Sequence, residues 1–133
     1  MSLTTDTIED RLAIIELLNR LEVALDLGDG GAYADGFTPD GRIDAASHHA
    51  GGRQALKEMI SSMHASGFLP SKRQYLGPIK VDVDGDEANA VSNWWIADIG
   101  ESPTVWATGT YTDRLERIDG EWKIANRIHK PDR

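Results

Sequence analysis

The hydrophobic pattern of the chain changes its period after Gly67. Before this residue, apolar side chains recur three and four positions apart, a spacing that predicts helices with one buried face. After it, apolar and polar residues alternate and Asp-Gly pairs interrupt the alternation, which predicts strands joined by hairpins. Helices followed by a run of antiparallel strands are typical of an α+β fold. A chain of 133 residues is expected to form a single domain over 1–133.

Three helices are predicted in the first half of the chain. The first spans 7–27 and ends before Gly28, which can adopt the left-handed conformation of a helix C-terminus. Asp29 is expected to cap a short second helix through 32–34. The third begins after a Gly-Gly pair and ends at Gly67. The buried stripes of the two longer helices are predicted to be Ile14, Leu17, Leu18, Leu21 and Leu25, and Leu56, Met59, Ile60 and Met63.

Turn and strand signals predict a curved sheet. The segment 37–41, Phe-Thr-Pro-Asp-Gly, is predicted to be a turn because proline presets φ and Asp-Gly favours chain reversal. A short strand is expected at 42–46. Gly109, in the middle of a long strand, suggests a bend or bulge, and a curved sheet closed by helices leaves a concave pocket where small ligands bind. The longer strands are predicted at 75–83, 88–97, 105–117 and 122–129.

The charge balance excludes several classes of function. The chain has 14 Lys+Arg against 22 Asp+Glu and a net charge of −8, whereas binding to nucleic acid or to anionic membranes needs clustered positive charge. It has no Cys, and therefore no disulfide, thiolate metal site or Cys nucleophile. The first residues lack the features of a signal peptide, and no stretch approaches about 18 apolar residues. We expect a cytoplasmic protein that binds neither nucleic acid nor membrane.

The motifs of common cofactor and metal sites are missing from the sequence. It contains no phosphate-binding loop, dinucleotide fingerprint, H-E-x-x-H or G-x-S-x-G pattern. His48 and His49 are adjacent, which is a poor spacing for a metal pair, and both are predicted to lie in an exposed loop. His64 is predicted to be exposed or to cap the third helix. We therefore expect no metal and no cofactor.

Several segments, taken together and in order, resemble the SnoaL-like group of the nuclear transport factor 2-like superfamily. The resemblance implies a cone-shaped, curved antiparallel sheet with N-terminal helices packed over its concave side. It also implies a small hydrophobic molecule as ligand, since relatives include scytalone dehydratase, bile acid 7α-dehydratase and hexachlorocyclohexane dehydrochlorinase. The matching segments are 24–29 (ALDLGD), 37–41 (FTPDG), 83–88 (VDGDEA) and 109–124 (GTYTDRLERIDGEWKI), running on to Arg127.

Asp26 is the first candidate catalytic residue. By resemblance, its position is half of an Asp–His dyad in dehydratase and dehydrochlorinase relatives, in which a carboxylate orients a histidine. The position of that histidine is occupied here by Gln74, which can hold a substrate by hydrogen bonds but cannot take up a proton at neutral pH. The alternative is that Asp26 is a solvated or capping carboxylate at the end of the first helix.

The last strand offers a replacement histidine. Arg127 and His129 alternate and so project to one face, and Arg127 matches a position that lines the pocket in dehydrochlorinase-like relatives. This suggests a relocated dyad of Asp26 and His129, with Arg127 stabilising an anionic intermediate. The alternative is a solvated His129. The apolar residues of this strand lie on the opposite parity, so either an oligomer covers both faces or a bulge changes the parity; these residues are Trp122, Ile124 and Ile128.

Aromatic residues complete the predicted site. Tyr111 is expected to line the pocket and donate its hydroxyl to a substrate oxygen, or else to be a core residue. By the family's pocket pattern, Trp94 and Ile96 line the pocket, which leaves Trp95 and Trp106 for an outer face or an interface in a homodimer or homotrimer. Two functions stay open: a cofactor-independent acid–base lyase or isomerase, dehydratase-like, acting on a hydrophobic cyclic substrate, and a non-catalytic ligand-binding or subunit-like protein.

Overall fold

A computed structural model describes residues 5–45 and 49–133, with side chains described from residue 7 onward. These residues form three α-helices, a short 3-10 helix (Leu69–Ser71) and one sheet of six strands in the order β2-β1-β6-β5-β4-β3. Among the described residues no helix is long and apolar enough to cross a membrane. The elements are α1 (Thr5–Leu27), α2 (Gly30–Asp35), β1 (Phe37–Ala45), β2 (His49–Gly51), α3 (Arg53–Ala65), β3 (Lys72–Asp84), β4 (Glu87–Asp98), β5 (Thr104–Ile118) and β6 (Glu121–Pro131).

The helix boundaries follow the local signals. Gly28 has φ +68° just after α1, a conformation that an L side chain rarely adopts. The Asp29 carboxylate accepts a hydrogen bond from the backbone N–H of Ala32 at 3.0 Å and caps α2, as predicted. His64, in the last turn of α3, is exposed and packs against Gly28. His49 belongs to β2 and is exposed, whereas His48 lies outside the described residues.

The turn predicted over 37–41 is wrong, because this segment lies inside β1. Between Phe37 and Arg42, β1 advances by five residues while β6 advances by two, so the turn-forming residues are accommodated as an irregularity in the pairing. In addition, β1 pairs with β6 in parallel, unlike the antiparallel pairs of the other strands. Pairing between the first and last strands brings together residues that are far apart in sequence. Local turn signals therefore cannot predict that these strands pair or that they run parallel.

Single-residue register shifts interrupt three of the strand pairs. They fall between Leu76 and Ile79 in β3, where Pro78 lies, between Ala107 and Val105 in β5, and between Ile124 and Asn126 in β6. Bulges bend a strand and increase its twist, and here they curve the sheet around the helices. The register is continuous at Gly109, so the bulge suggested at this glycine is not there.

The main core lies between the concave face of the sheet and the helices. Both predicted helical stripes are in it, with Met59 and Met63 partly buried at its border. A second, smaller cluster lies beside it on β4 and β5 and consists of Trp94, Ile96 and Tyr111. The α+β architecture with helices over a curved sheet is therefore confirmed, and the space between the two clusters forms the candidate site.

Candidate functional site

A cavity of about 330 Å³ opens between the helices and the concave face of the sheet. Most of its wall is apolar, with contributions from all three α-helices, from β1 and from strands β3 to β6. The polar side chains on this wall are Asp26, Tyr33, Lys72, Gln74, Tyr111, His129 and Arg133. The structure therefore brings together six residues that the sequence singled out: Asp26, Gln74, Trp94, Ile96, Tyr111 and His129.

A bulge in β6 decides which way His129 points. Leu115 pairs with Ile124 and Arg114 with Asn126, so Ala125 is the extra residue and the parity of the strand changes there. As a result Ile124 and Arg127 are both fully buried although their numbers differ in parity. Of the two explanations left open by the sequence, the bulge is the one that the structure shows.

Gln74 occupies the centre of the polar wall. Its side-chain Nε2 donates to the Tyr111 hydroxyl at 2.7 Å and to Glu22 Oε1 at 3.4 Å. Its backbone N–H donates to Asp26 Oδ1 at 3.5 Å. Because the Tyr111 oxygen accepts from Gln74, the Tyr111 proton is available for another acceptor. Burial raises the pKa of Tyr111 well above its ordinary value, so this hydroxyl stays protonated.

Glu22 is a buried carboxyl group that the sequence analysis missed. It is 8% exposed, and its Oε2 has no hydrogen-bond partner among the described residues. Burial raises the pKa of Glu22 to about 7, partly opposed by the nearby Arg127 and reinforced by Asp26 and Asp113. Glu22 lies four residues after Leu18 and four before Asp26, and this spacing on one helical face was the signal that could have found it.

Asp26 lies at the end of α1 and faces the cavity. Its side chain is 29% exposed and lies 3.9 Å from Arg73, measured from Oδ2 to Nε. Burial raises the pKa of Asp26, while the hydrogen bond from the Gln74 backbone and the charge of Arg73 lower it. Asp26 is therefore a partly desolvated carboxylate on the cavity wall. Its pairing with His129 in a catalytic dyad stays a prediction.

Arg127 does not line the cavity but lies behind it. Its guanidinium group is fully buried and forms two hydrogen bonds with the Asp113 carboxylate, at 2.8 and 3.0 Å. It also donates to the Tyr33 hydroxyl at 3.3 Å and lies 3.8 Å from the centre of the Tyr111 ring. Burial opposes the positive charge, but Asp113, Tyr33 and Tyr111 together outweigh this effect and raise the pKa of Arg127 well above its ordinary value. Arg127 therefore supports Tyr111 from behind.

His129 is fixed by two aromatic rings. It stacks on Trp94 with ring centres 4.7 Å apart and an interplanar angle of 6°, and its ring centre is 5.5 Å from that of Tyr111. Trp94 also lies directly against the backbone of Gly109, because a Cβ atom at Gly109 would lie 2.3 Å from the indole Cζ2. This close approach explains the glycine in the middle of β5.

The structure places Trp95 and Trp106 on different surfaces. Trp95 lies on the outer face and stacks on Tyr75 at 4.5 Å. Trp106, expected on an outer face or at an interface, is exposed but also lines the cavity, because it is the extra residue of the bulge in β5 and the bulge redirects its side chain. It packs edge-on against Phe68 at 5.4 Å. The expected homodimer or homotrimer stays a prediction.

Two further features bear on the chemistry of the cavity. Among the side chains described, in 7–45 and 49–133, no three His, Asp or Glu are close enough together to hold a metal ion. Asp113 was also missed by the sequence analysis, although it alternates with Tyr111 and Leu115 on β5 and so shares their buried face. The arrangement offers hydrogen bonding and proton transfer at one wall of an apolar cavity.

Comparison with known proteins agrees with this architecture. The chain is 26% identical to a protein of unknown function with a cystatin-like fold from Nostoc punctiforme (TM-score 0.86, covering 99% of this chain and 96% of that one). It is 23% identical to a nuclear transport factor 2-like protein with a cystatin-like fold from Novosphingobium aromaticivorans (TM-score 0.89, 96% and 84%). A candidate scytalone dehydratase from the same organism is 23% identical (TM-score 0.79, 98% and 89%).

These structural likenesses establish the fold, and the sequence establishes the family. No curated protein matches the sequence significantly. The model of the SnoaL-like domain family, in contrast, matches residues 6–128, which is nearly the whole chain. The protein belongs to the SnoaL-like domain family.

Proposed function

We propose that the protein binds a small, mainly hydrophobic cyclic molecule in the cavity and catalyses a cofactor-independent acid–base reaction on it, as a dehydratase-like lyase or an isomerase. The observation that carries the proposal is the convergence of polar side chains on one wall of an otherwise apolar cavity. Asp26, Gln74, Tyr111 and His129 all line it. Apolar pockets with a few convergent polar groups are typical of sites for small organic ligands.

In the proposed reaction Asp26 is the base. Its partly desolvated carboxylate takes a proton from a carbon next to a substrate carbonyl, and the electron pair of the broken C–H bond forms a carbon–carbon double bond in an enolate. The Tyr111 hydroxyl donates to the enolate oxygen. In elimination the enolate re-forms its carbonyl, and its electron pair makes a double bond between the α and β carbons as the C–O bond of a β-hydroxyl breaks. A proton from His129 converts the leaving hydroxide to water. In isomerisation the proton returns to a different carbon.

The other residues hold these groups in place. Gln74 contacts both the base and the hydroxyl donor, since its backbone N–H donates to Asp26 and its side-chain amide donates to Tyr111. Arg127, restrained by Asp113, lies against the Tyr111 ring. Preorganised donors stabilise developing negative charge more than water does, because they need no reorientation during the reaction.

A binding function without catalysis is the second candidate. The observation that favours it is the amide of Gln74 at the centre of the polar wall, between Glu22 and Tyr111. An amide there recognises a ligand by hydrogen bonds but transfers no proton. Both candidates place the ligand in the same cavity, and they differ only in whether turnover occurs.

Turnover distinguishes the two candidates. Hydroxylated polycyclic and terpenoid compounds are incubated with the protein, and products are followed by mass spectrometry. For any compound converted, we expect Asp26→Asn to lower kcat at least 100-fold with a smaller change in KM. Asp84→Asn, an exposed carboxylate in the β3–β4 hairpin, is the matched control and should leave kcat unchanged. Unchanged turnover in Asp26→Asn would remove Asp26 from the mechanism, and binding without turnover would support the second candidate.

A further inference from the structure

The outer end of the cavity differs chemically from its polar inner wall. The outer end is lined by two aromatic residues, Phe68 and Trp106, and two cations, Lys72 and Arg133. Of these, Trp106 and Arg133 are exposed. Gln74 and Tyr111, in contrast, are buried at the inner wall. A molecule that fills the cavity therefore has one end against hydrogen-bonding groups and the other end beside two cations.

Lys72 is held in place by its surroundings. Its side chain is only 13% exposed, and its Nζ lies 5.4 Å from the ring centres of both Phe68 and Trp106. The ammonium group donates to Ser71 Oγ at 3.0 Å. Aromatic faces stabilise a cation, and they also keep this one from swinging freely into solvent. The charge is thus preorganised at the cavity wall.

Two cations, Lys72 and Arg133, line the outer end of the cavity, and the acid paired with Lys72 lies off the wall. Asp98 lies 3.5 Å from Lys72 Nζ, but its side chain is 45% exposed and does not line the cavity. Among the charged residues described on the wall, Asp26 is the acid, and it has Arg73 beside it. Lys72 and Arg133 therefore face the interior without an acid on the wall at their own end.

The strand register gives the separation between the two ends. Lys72 and Gln74 lie two residues apart on β3 and so point to the same face. Gln74 pairs with Ile96 on β4, which in turn pairs with Ala107 on β5. Two residues along a strand span about 7 Å. Along β3, the backbone of Lys72 therefore lies roughly 7 Å nearer the outer end of the cavity than the backbone of Gln74, whose side chain is hydrogen-bonded to Tyr111.

From this arrangement we infer that the ligand is a cyclic carboxylate, with its anionic group bound by Lys72 and Arg133 and its ring system between Trp94 and Ile96. The inference rests on the proposed function and specifies the substrate class of the same cavity. One or two fused rings are long enough to extend from Lys72 past Gln74, a step of about 7 Å along β3. Charge at the outer end then selects ligands, while the inner wall carries the chemistry.

Matched pairs of ligands test the inference by isothermal titration calorimetry at pH 8. The probes are the carboxylic acid and the neutral primary amide of benzene, naphthalene and decalin. We expect at least one acid to bind about tenfold more tightly than its amide. Lys72→Met should weaken binding of that acid about tenfold and leave the amide within twofold, and Lys72→Arg should retain the preference. Lys80→Met, at an exposed lysine on the same strand, is the control and should change neither.

The possible failures have different meanings. If the amides bind as tightly as the acids, or if Lys72→Met weakens an acid and its amide equally, the inference is wrong and the proposed ligand cavity stands. If the acid preference is unchanged in Lys72→Met, Lys72 is not the recognition group and the inference is likewise overturned. If no acid and no amide binds, the proposed function fails together with the inference.

Discussion

Replacing Glu22 by glutamine should make the protein more stable at alkaline pH, by an amount that grows with pH. Glutamine has nearly the same shape, keeps a group that can accept from Gln74, and cannot ionise. Burial raises the pKa of Glu22 from 4.5 to about 7, so the folded protein holds this proton more tightly than the unfolded chain. Ionised Glu22 therefore disfavours the folded state.

Proton linkage gives the direction and the magnitude of this change in the free energy of unfolding. Between pH 4.5 and 7 the folded state binds more protons at Glu22 than the unfolded state, so the free energy of unfolding falls as pH rises and levels off above pH 7. A tenfold difference in proton affinity equals about 1.4 kcal/mol. The cost to the wild type is about 0.8 kcal/mol at pH 5 and about 3.3 kcal/mol at pH 8. The variant should escape this cost.

Urea unfolding at pH 5, 6, 7 and 8 measures the effect. The difference in unfolding free energy between Glu22→Gln and wild type should grow by about 2.5 kcal/mol from pH 5 to pH 8. Glu16→Gln, an exposed carboxyl on the same helix, is the control and should give a small, constant difference. A difference for Glu22→Gln that does not change with pH would show that Glu22 has no raised pKa and would refute the argument.

Three further predictions concern groups around the cavity. Asp113→Asn should lower the unfolding free energy by about 3 kcal/mol in urea titrations, because it leaves the buried Arg127 charge without its carboxylate; a loss below 1 kcal/mol would contradict this. Gly109→Ala should cost about 1–3 kcal/mol and alter the near-ultraviolet circular dichroism, because the new Cβ collides with Trp94, and an unchanged spectrum would count against the stacked geometry. Asp29→Ala should cost about 1 kcal/mol in thermal unfolding through loss of the α2 cap, whereas a neutral result would show that the cap contributes nothing.

The candidate site was partly visible in the sequence. The family resemblance pointed to Asp26 and Gln74, and strand alternation pointed to Tyr111, all of which line the cavity. Glu22 was not predicted, because charged residues on a helix usually face solvent and its burial depends on what packs against that face of α1. The burial of the Asp113 carboxylate is explained only by its partner, Arg127, which is fourteen residues away along the chain and paired with it on the neighbouring strand.

By itself, the sequence determined the helices, the long strands and their hairpins. Periodicity, capping residues such as Asp29 and turn glycines act over a few residues, so their effects can be predicted locally. The tertiary structure decided the parallel pairing of β1 with β6, the bulge at Ala125 that turns His129 inward, and the raised pKa of Glu22. Register is set between strands that are distant in sequence, and the pKa of a buried group depends on desolvation and charges from several elements at once.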